Sequence, residues 1–357
     1  MRNALRAPIL AVLALLLSWS GARCEPLRVL VGQFAGPGSV GDSMMTTLYF
    51  ELIKAFDRPG EKGVWVLYGA DPLEGGSYES ATARAMRPST RADVVIWGSV
   101  TPYGTGYVVQ SYLAVTRLAE RRSVRPEFWR VARNLSDGAR IEIGLGLPGH
   151  FYDFEPFRVS DDLVQKFSSP DGMPLYGSAK GGEVVGHVDG TFTFGTILRD
   201  SIRIRLDKNG LSGWIHLTDF DRENIQANQF CQALLRYLRG DWQGARTALL
   251  GIVERPDLPS SILVDSLILL GVTEEKMGQS GLQRFERAFE INSYNRTGAQ
   301  FLILGRLSEM QRRGPGEEAS AIGRSVLDFI RDTAALYPPG DPWIERARQF
   351  AAAEQRP

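Results

Sequence analysis

Apolar and polar positions in the first third of the chain follow strand and helix periods in turn. The predicted strands, rich in β-branched and aromatic residues, are Leu27–Val31, Val64–Tyr68 and Asp93–Trp97. The predicted helices between them are Ser43–Phe56 and Tyr78–Met86. Tyr107–Val115 alternates as an antiparallel partner, and further strands are expected at Arg140–Leu147 and Phe151–Val159. Residues 27–158 are therefore predicted to form a small sheet covered by helices.

Residues 172–220 alternate over much shorter runs. The candidate strands are Met173–Tyr176, Gly182–Val188, Thr191–Phe194, Ser201–Leu206 and Gly213–Leu217. Asp189-Gly190 and Lys208-Asn-Gly210 supply turn residues between them. Strands this short bury a face by curling together, so we expect a small barrel, reached through a linker at residues 159–171.

Helical periodicity dominates residues 222–355. Gln229–Ala245 forms two amphipathic stretches joined by a Gly240-Asp241 turn. Leu270-Gly271 recurs as Leu304-Gly305 after 34 residues, which is the period of a helical-hairpin repeat. The third unit, around Arg312–Ala319, departs from the pattern. Stacked helical hairpins are therefore predicted, and their regularity stays open.

Specific segments of each block resemble known families. Ala92–Val100 followed by Tyr107–Leu113 resembles the amino-terminal domain of the periplasmic TolB family. Gly213-Trp-Ile215 after a polar turn is similar to the end of a bacterial SH3 domain, and Tyr237 with Gly240-Asp-Trp242 looks like a tetratricopeptide repeat. The resemblances imply a multidomain chain: a TolB-like α/β sheet domain, a small SH3-like β-barrel and an all-α repeat domain. They imply domains that bind other molecules and catalyse no reaction.

The amino terminus has the form of a signal peptide over residues 1–22. Arg2 and Arg6 precede the apolar stretch Ala7–Trp19, which is too short to span a bilayer. Ser20-Gly21-Ala22 offers the small residues that a signal peptidase requires. We therefore expect cleavage after Ala22 and a periplasmic or secreted protein without a transmembrane segment in the mature chain. An uncleaved anchor is the alternative.

Composition and charge argue against two classes of function, nucleic-acid binding and zinc binding. The chain has 41 Lys and Arg against 41 Asp and Glu, a balance that argues against binding of nucleic acid. Two cysteines, Cys24 and Cys231, and three histidines are too few and too scattered for a zinc cluster. An oxidising compartment permits a disulfide between the two cysteines without establishing it.

One motif has the form of a dinucleotide-binding loop. Gly36-Pro-Gly-Ser-Val-Gly41 fits the glycine spacing and follows a predicted strand. Pro37, however, removes a backbone N–H from the turn, and the acidic Asp71 lies 30 positions past Gly41, where about 20 is typical. We therefore expect no cofactor and identify no catalytic residue.

These observations predict an exported, non-enzymatic scaffold or adaptor. Its partners would be other envelope proteins or peptidoglycan, bound by aromatic side chains of the barrel and the first helical repeat. The candidate binding residues are Tyr176, Trp214, Tyr237 and Trp242. The alternatives are a peptidoglycan-binding regulator of a cell-wall enzyme, and a hydrolase that assembles a site from distant acids such as Asp161-Asp162.

Overall fold

The computed structural model describes most of the chain after the predicted signal peptide. The described residues are 26–36, 40–56, 63–69, 77–116, 129–134, 138–146, 151–160, 172–198, 201–216, 226–256 and 258–353. The predicted signal peptide, Cys24, Asp71, Asp161-Asp162 and most of the predicted linker lie outside these residues.

The elements alternate between strand and helix at first and become helical after residue 226. The strands are β1 Leu27–Ala35, β2 Val64–Gly69, β3 Val94–Tyr103, β4 Gly106–Val115, β5 Trp129–Asn134, β6 Arg140–Leu145, β7 Phe151–Asp153, β8 Phe157–Ser160, β9 Pro174–Tyr176, β10 Val184–His187, β11 Phe192–Ile197, β12 Ser201–Leu206 and β13 Ser212–His216. The helices are α1 Val40–Phe56, α2 Tyr78–Ala85, α3 Gln226–Arg239, α4 Trp242–Val253, α5 Ser260–Lys276, α6 Leu282–Ile291, α7 Arg296–Arg313, α8 Glu317–Asp332 and α9 Pro342–Ala352, with a 3-10 turn at Ala334–Leu336.

A six-stranded mixed sheet forms the first unit. Its order is β2-β1-β3-β4-β7, with β8 also paired to β4. Strand β1 runs parallel to both β2 and β3, while β3 and β4 form an antiparallel hairpin. Val29 and Val31 of β1 pack into the large core on the α1 side, whereas Leu30 packs with Trp97 on the α2 side. Both predicted helices and the strands predicted at Leu27–Val31, Val64–Tyr68, Asp93–Trp97 and Tyr107–Val115 are confirmed. The strand predicted at Phe151–Val159 divides into β7 and β8, and the one predicted at Arg140–Leu147 forms β6, which pairs with β5 outside this sheet.

A five-stranded antiparallel sheet forms the second unit, in the order β10-β9-β13-β12-β11. All five predicted strands are confirmed, and alternate residues such as Leu175, Ile202 and Ile215 are fully buried. The end strands β10 and β11 are not paired with each other within the described residues. We call this unit the five-stranded sheet.

Helices α3 to α9 form the third unit, in which each helix packs against the next one along the chain. Asp241 caps α4 through Gly244 N–H at 3.0 Å, and Asn295 caps α7 through Gly298 N–H at 3.0 Å. Helices α5 and α7 are buried on most of their sides, whereas α4, α6 and α8 bury a narrow stripe. The helical region is thus an inner layer facing the rest of the molecule and an outer layer facing away from it.

One hydrophobic core runs through all three units. Phe50 of α1 stacks on Phe192 of the five-stranded sheet with ring centroids 6.3 Å apart. Tyr152 of β7 packs on Phe230 of α3 at 4.6 Å. The chain therefore has both sheet and helical regions, and their hydrophobic faces bury one another.

Candidate functional site

Two of the four predicted binding residues pack against each other in the helical region. Tyr237 of α3 is only 2% exposed and meets Trp242, at the start of α4, edge to face at 5.3 Å. Trp242 is half-buried. The structure places this pair between consecutive helices, where it contributes to packing, and Tyr237 has almost no surface to offer a partner.

The other two predicted residues, Tyr176 and Trp214, lie side by side. Tyr176 of β9 is the cross-strand partner of Trp214 of β13. The same register continues on both sides, from Tyr176 to Val184 of β10 and from Trp214 to Arg203 of β12. Residues directly opposite one another share a face of the sheet. We call this line of four side chains the aromatic row.

The alternation of β13 places the aromatic row on the open face of the five-stranded sheet. Ile215 is fully buried, whereas Trp214 and His216 on either side of it are half-buried. Val184 at one end of the row is 44% exposed, and Arg203 at the other end is exposed. The period of two along a strand puts Trp214 and His216 on the same side. The two rings therefore lie against the sheet on one side and are accessible to solvent on the other.

His216 adds a third ring to this face. Its imidazole meets the ring of Tyr176 edge to face at 4.7 Å, and its Nε2 lies 3.2 Å from the carbonyl oxygen of Ser178. Because a carbonyl only accepts, Nε2 donates this hydrogen bond. The histidine therefore holds Tyr176 in place. Its strand position was predicted, but its contact with the aromatic row was not.

The charge on this face is positive. Arg203 and Arg205 are both exposed on β12, and alternation puts them on the side of the aromatic row. The backbone of Arg203 pairs with Trp214, but its guanidinium makes no hydrogen bond or ion pair in the part of the chain that the structure describes. A planar guanidinium beside two aromatic rings can bind a carboxylate while the rings cover an apolar surface.

The remaining histidine, metal-ligand and cysteine candidates lie outside the aromatic row. His187 is exposed at the end of β10. Across the described residues, no three or more His, Cys, Asp or Glu side chains come together in a group that could hold a metal ion. Cys231 is a free thiol buried in α3, and burial raises its pKa far above the ordinary value. Cys24 lies outside the described residues.

Comparison of the chain with family models, with curated proteins and with solved structures finds no match. Of the helices in the described ranges, none has both the length and the apolar content needed to cross a membrane.

Proposed function

We propose that this protein is an exported, non-enzymatic scaffold or adaptor that docks onto an envelope protein through the aromatic row. The observation that carries the proposal is the placement of Tyr176, Trp214 and the unpaired Arg203 on one open face. Tyrosine, tryptophan and arginine are the residues that most often dominate protein interfaces. The rings and the guanidinium of the row are groups suited to binding a partner.

The proposal includes the family resemblances. The Ala92–Val100 segment supports a TolB-like first unit, and Gly213-Trp-Ile215 supports an SH3-like second unit. The 34-residue recurrence of Leu-Gly supports tetratricopeptide-like packing in the third. In this proposal the helical region and the first sheet support the five-stranded sheet from behind, since all three units share one core.

Peptidoglycan is the second candidate partner, and the composition of the row favours it. Aromatic rings stack on the apolar faces of sugars, and Arg203 can pair with the carboxylates that a cell-wall polymer carries. In this case the protein would be a cell-wall-binding regulator. The two candidates differ in whether the ligand of the row is a protein or a glycan.

The proposal predicts that two substitutions in the row weaken binding. Trp214→Ala removes the larger ring and Arg203→Ala removes the charge, and neither side chain is fully buried. We expect each variant to lose at least about tenfold in capture of the partner, because central aromatic and arginine anchors contribute about 2 kcal/mol or more. Capture is measured with a photoreactive amino acid at Val184, crosslinked in the cells that make the protein.

The matched control is Trp65→Ala. Trp65 is 53% exposed on β2, in the other sheet, so this change removes an exposed tryptophan without touching the aromatic row. Sedimentation with purified peptidoglycan is run on the same variants. Loss of sedimentation with Trp214→Ala but not with the control would assign the glycan ligand. Equal crosslinking and equal sedimentation of all folded variants would refute the proposal.

A further inference from the structure

Helix α2 covers only part of its side of the first sheet. It has eight residues and is about 12 Å long, whereas strand β3 has ten residues and is about 33 Å long. Ala81 and Ala85 of α2 form a small core with Trp97, and beyond Trp97 the same side of the sheet becomes mostly polar and accessible. Strand alternation and register assign six residues to this part, which we call the open half: Ser99, Thr101, Val108, Gln110, Asp153 and Arg158.

A carboxylate and two aromatic rings form the end of the open half next to α2. Asp153 is exposed and lies directly opposite Tyr112, whose ring stacks on that of Phe151 at 5.9 Å. Gln110 donates from Nε2 to Oδ1 of Asp153 and to the carbonyl oxygen of Phe154, so it orients the carboxylate. Asp153 forms no ion pair with any residue that the structure describes. A carboxylate beside aromatic rings suits a guanidinium or ammonium group.

A guanidinium and a tyrosine ring form the opposite end of the open half. The guanidinium of Arg158, on β8, lies 4.5 Å from the centroid of the Tyr103 ring and makes no ion pair among the described residues. A cleft of about 510 Å³ opens beside them, lined by the β3–β4 turn and by Tyr107 and Val159. Tyr103 is 57% exposed, and Arg158 is exposed as well. A guanidinium placed over a ring still presents its N–H groups to a carboxylate.

Strand register sets the distance between the two charges. Asp153 is opposite Tyr112 and Arg158 is opposite Val108, so the two residues stand four positions apart along β4, which is about 14 Å. An extended peptide has nearly the same rise per residue, and its residues i and i+4 point to the same side. Residues i and i+4 of a helix are separated by only about 6 Å along its axis. The spacing of the charges therefore fits an extended segment.

We propose that the open half binds an extended segment of a partner protein that carries a basic and an acidic residue four positions apart. The basic side chain pairs with Asp153 beside the ring of Tyr112, and the acidic side chain pairs with Arg158. Charge complementarity supports this occupant, because the two ends of the open half carry opposite charges and no described residue forms an ion pair with either. The proposal does not depend on the aromatic row, which lies in the other sheet.

The test is a selection of short random peptides, displayed on phage, on the immobilised full chain at low ionic strength. We expect the selected peptides to be enriched in a basic and an acidic residue at positions i and i+4, in either order. On Arg158→Glu the enrichment should change to two basic residues at this spacing, because both ends of the open half are then negative. Peptides without the paired charges on the wild type, or the same peptides on Arg158→Glu, would overturn the proposal.

Dissociation constants of the selected peptides give a second readout. We expect Asp153→Asn and Arg158→Gln each to weaken binding at least about threefold, because each removes one ion pair with the peptide. Both side chains are exposed, so the variants should fold as the wild type does. The matched controls Asp207→Asn, after β12, and Arg324→Gln, in α8, remove exposed charges elsewhere and should leave binding unchanged. Binding that persists in both open-half variants, or that falls equally in the controls, would overturn the proposal.

Discussion

Gly271 of α5 and Gly305 of α7 stand on either side of the ring of Phe285. A Cβ atom at Gly271 would lie 2.5 Å from Cε1 and 2.7 Å from Cζ of Phe285, and one at Gly305 would lie 2.7 Å from its Cδ2. Ordinary carbon contacts are about 3.5 to 4.0 Å. The 34-residue recurrence of glycine therefore leaves the space that the Phe285 ring fills between two inner helices.

Gly271→Ala tests this interpretation. The new methyl group would have to move the Phe285 ring by about 1 Å to reach an ordinary contact distance. The ring cannot retreat freely, because Gly305 and the stacked ring of Trp129 lie close to it. Overpacking of this kind costs roughly 1 to 3 kcal/mol, and the better helix propensity of alanine returns up to about 1 kcal/mol. We expect a net loss of roughly 1 to 2 kcal/mol.

The assay is urea unfolding of the full chain, followed by far-ultraviolet circular dichroism. The matched control is Gly251→Ala in α4, where a Cβ atom would meet no heavy atom within 4 Å apart from the adjoining residues and backbone of its own helix. This change should stabilise the protein by about 0.5 to 1 kcal/mol, because only helix propensity is altered. The two substitutions should thus shift the unfolding midpoint in opposite directions. Equal stabilisation by both would show that Phe285 does not need the space, and the argument for the glycine spacing would fail.

Three further predictions concern titratable groups. Desolvation raises the pKa of Asp265 in α5 to about 7. Between roughly pH 4 and 7 the folded state therefore binds more protons than the unfolded state. The free energy of unfolding thus falls as the pH rises through that interval. Asp265→Asn should remove that slope and stabilise the protein above pH 7 by up to about 4 kcal/mol, whereas an unchanged slope in urea titrations would contradict it. The buried Cys231 thiol should resist labelling by maleimide until urea unfolds the chain, measured in a Cys24→Ser variant so that Cys231 is the only thiol. Labelling in buffer at the rate of a free thiol would refute its burial. Asp341 caps α9 by accepting a hydrogen bond from Trp343 N–H at 2.9 Å, and it pairs with Arg296 at 2.6 Å. Asp341→Ala should therefore lower the free energy of unfolding by roughly 2 kcal/mol in the same urea assay. A loss below about 0.5 kcal/mol would exclude both roles.

Local periodicity was sufficient to predict most elements of the fold. The alternation of Ser201–Leu206 and the helical spacing of Ser43–Phe56 are properties of neighbouring residues, and both segments fold accordingly as β12 and within α1. Two segments are exceptions. Phe151–Val159, predicted as one strand, divides into β7 and β8, and strand β5 was not predicted while its partner β6 was. Strand β5 contains Arg130 and Arg133 and joins neither main sheet, so its conformation depends on the helices that bury Trp129.

The candidate binding residues also show which properties the sequence predicts and which only the tertiary structure decides. The sequence alone identified Tyr176, Trp214, Tyr237 and Trp242 as candidates because they are aromatic residues in predicted binding modules. Only the tertiary structure separated them: cross-strand register joins the first two on an open face, and helix packing buries Tyr237. Whether a ring faces solvent or core depends on distant segments, which no local pattern encodes.

The sequence by itself determined the order and type of most elements, since strand and helix periods act over a few residues. The tertiary structure decided how the three units share one core and that the hairpin of β5 and β6 packs against α5, α7 and α9. Both depend on contacts between residues more than a hundred positions apart, such as Gln311 with Ala132 and Trp343 with Gly144. The physical reason is that apolar faces bury against whichever complementary surface the folded chain brings to them.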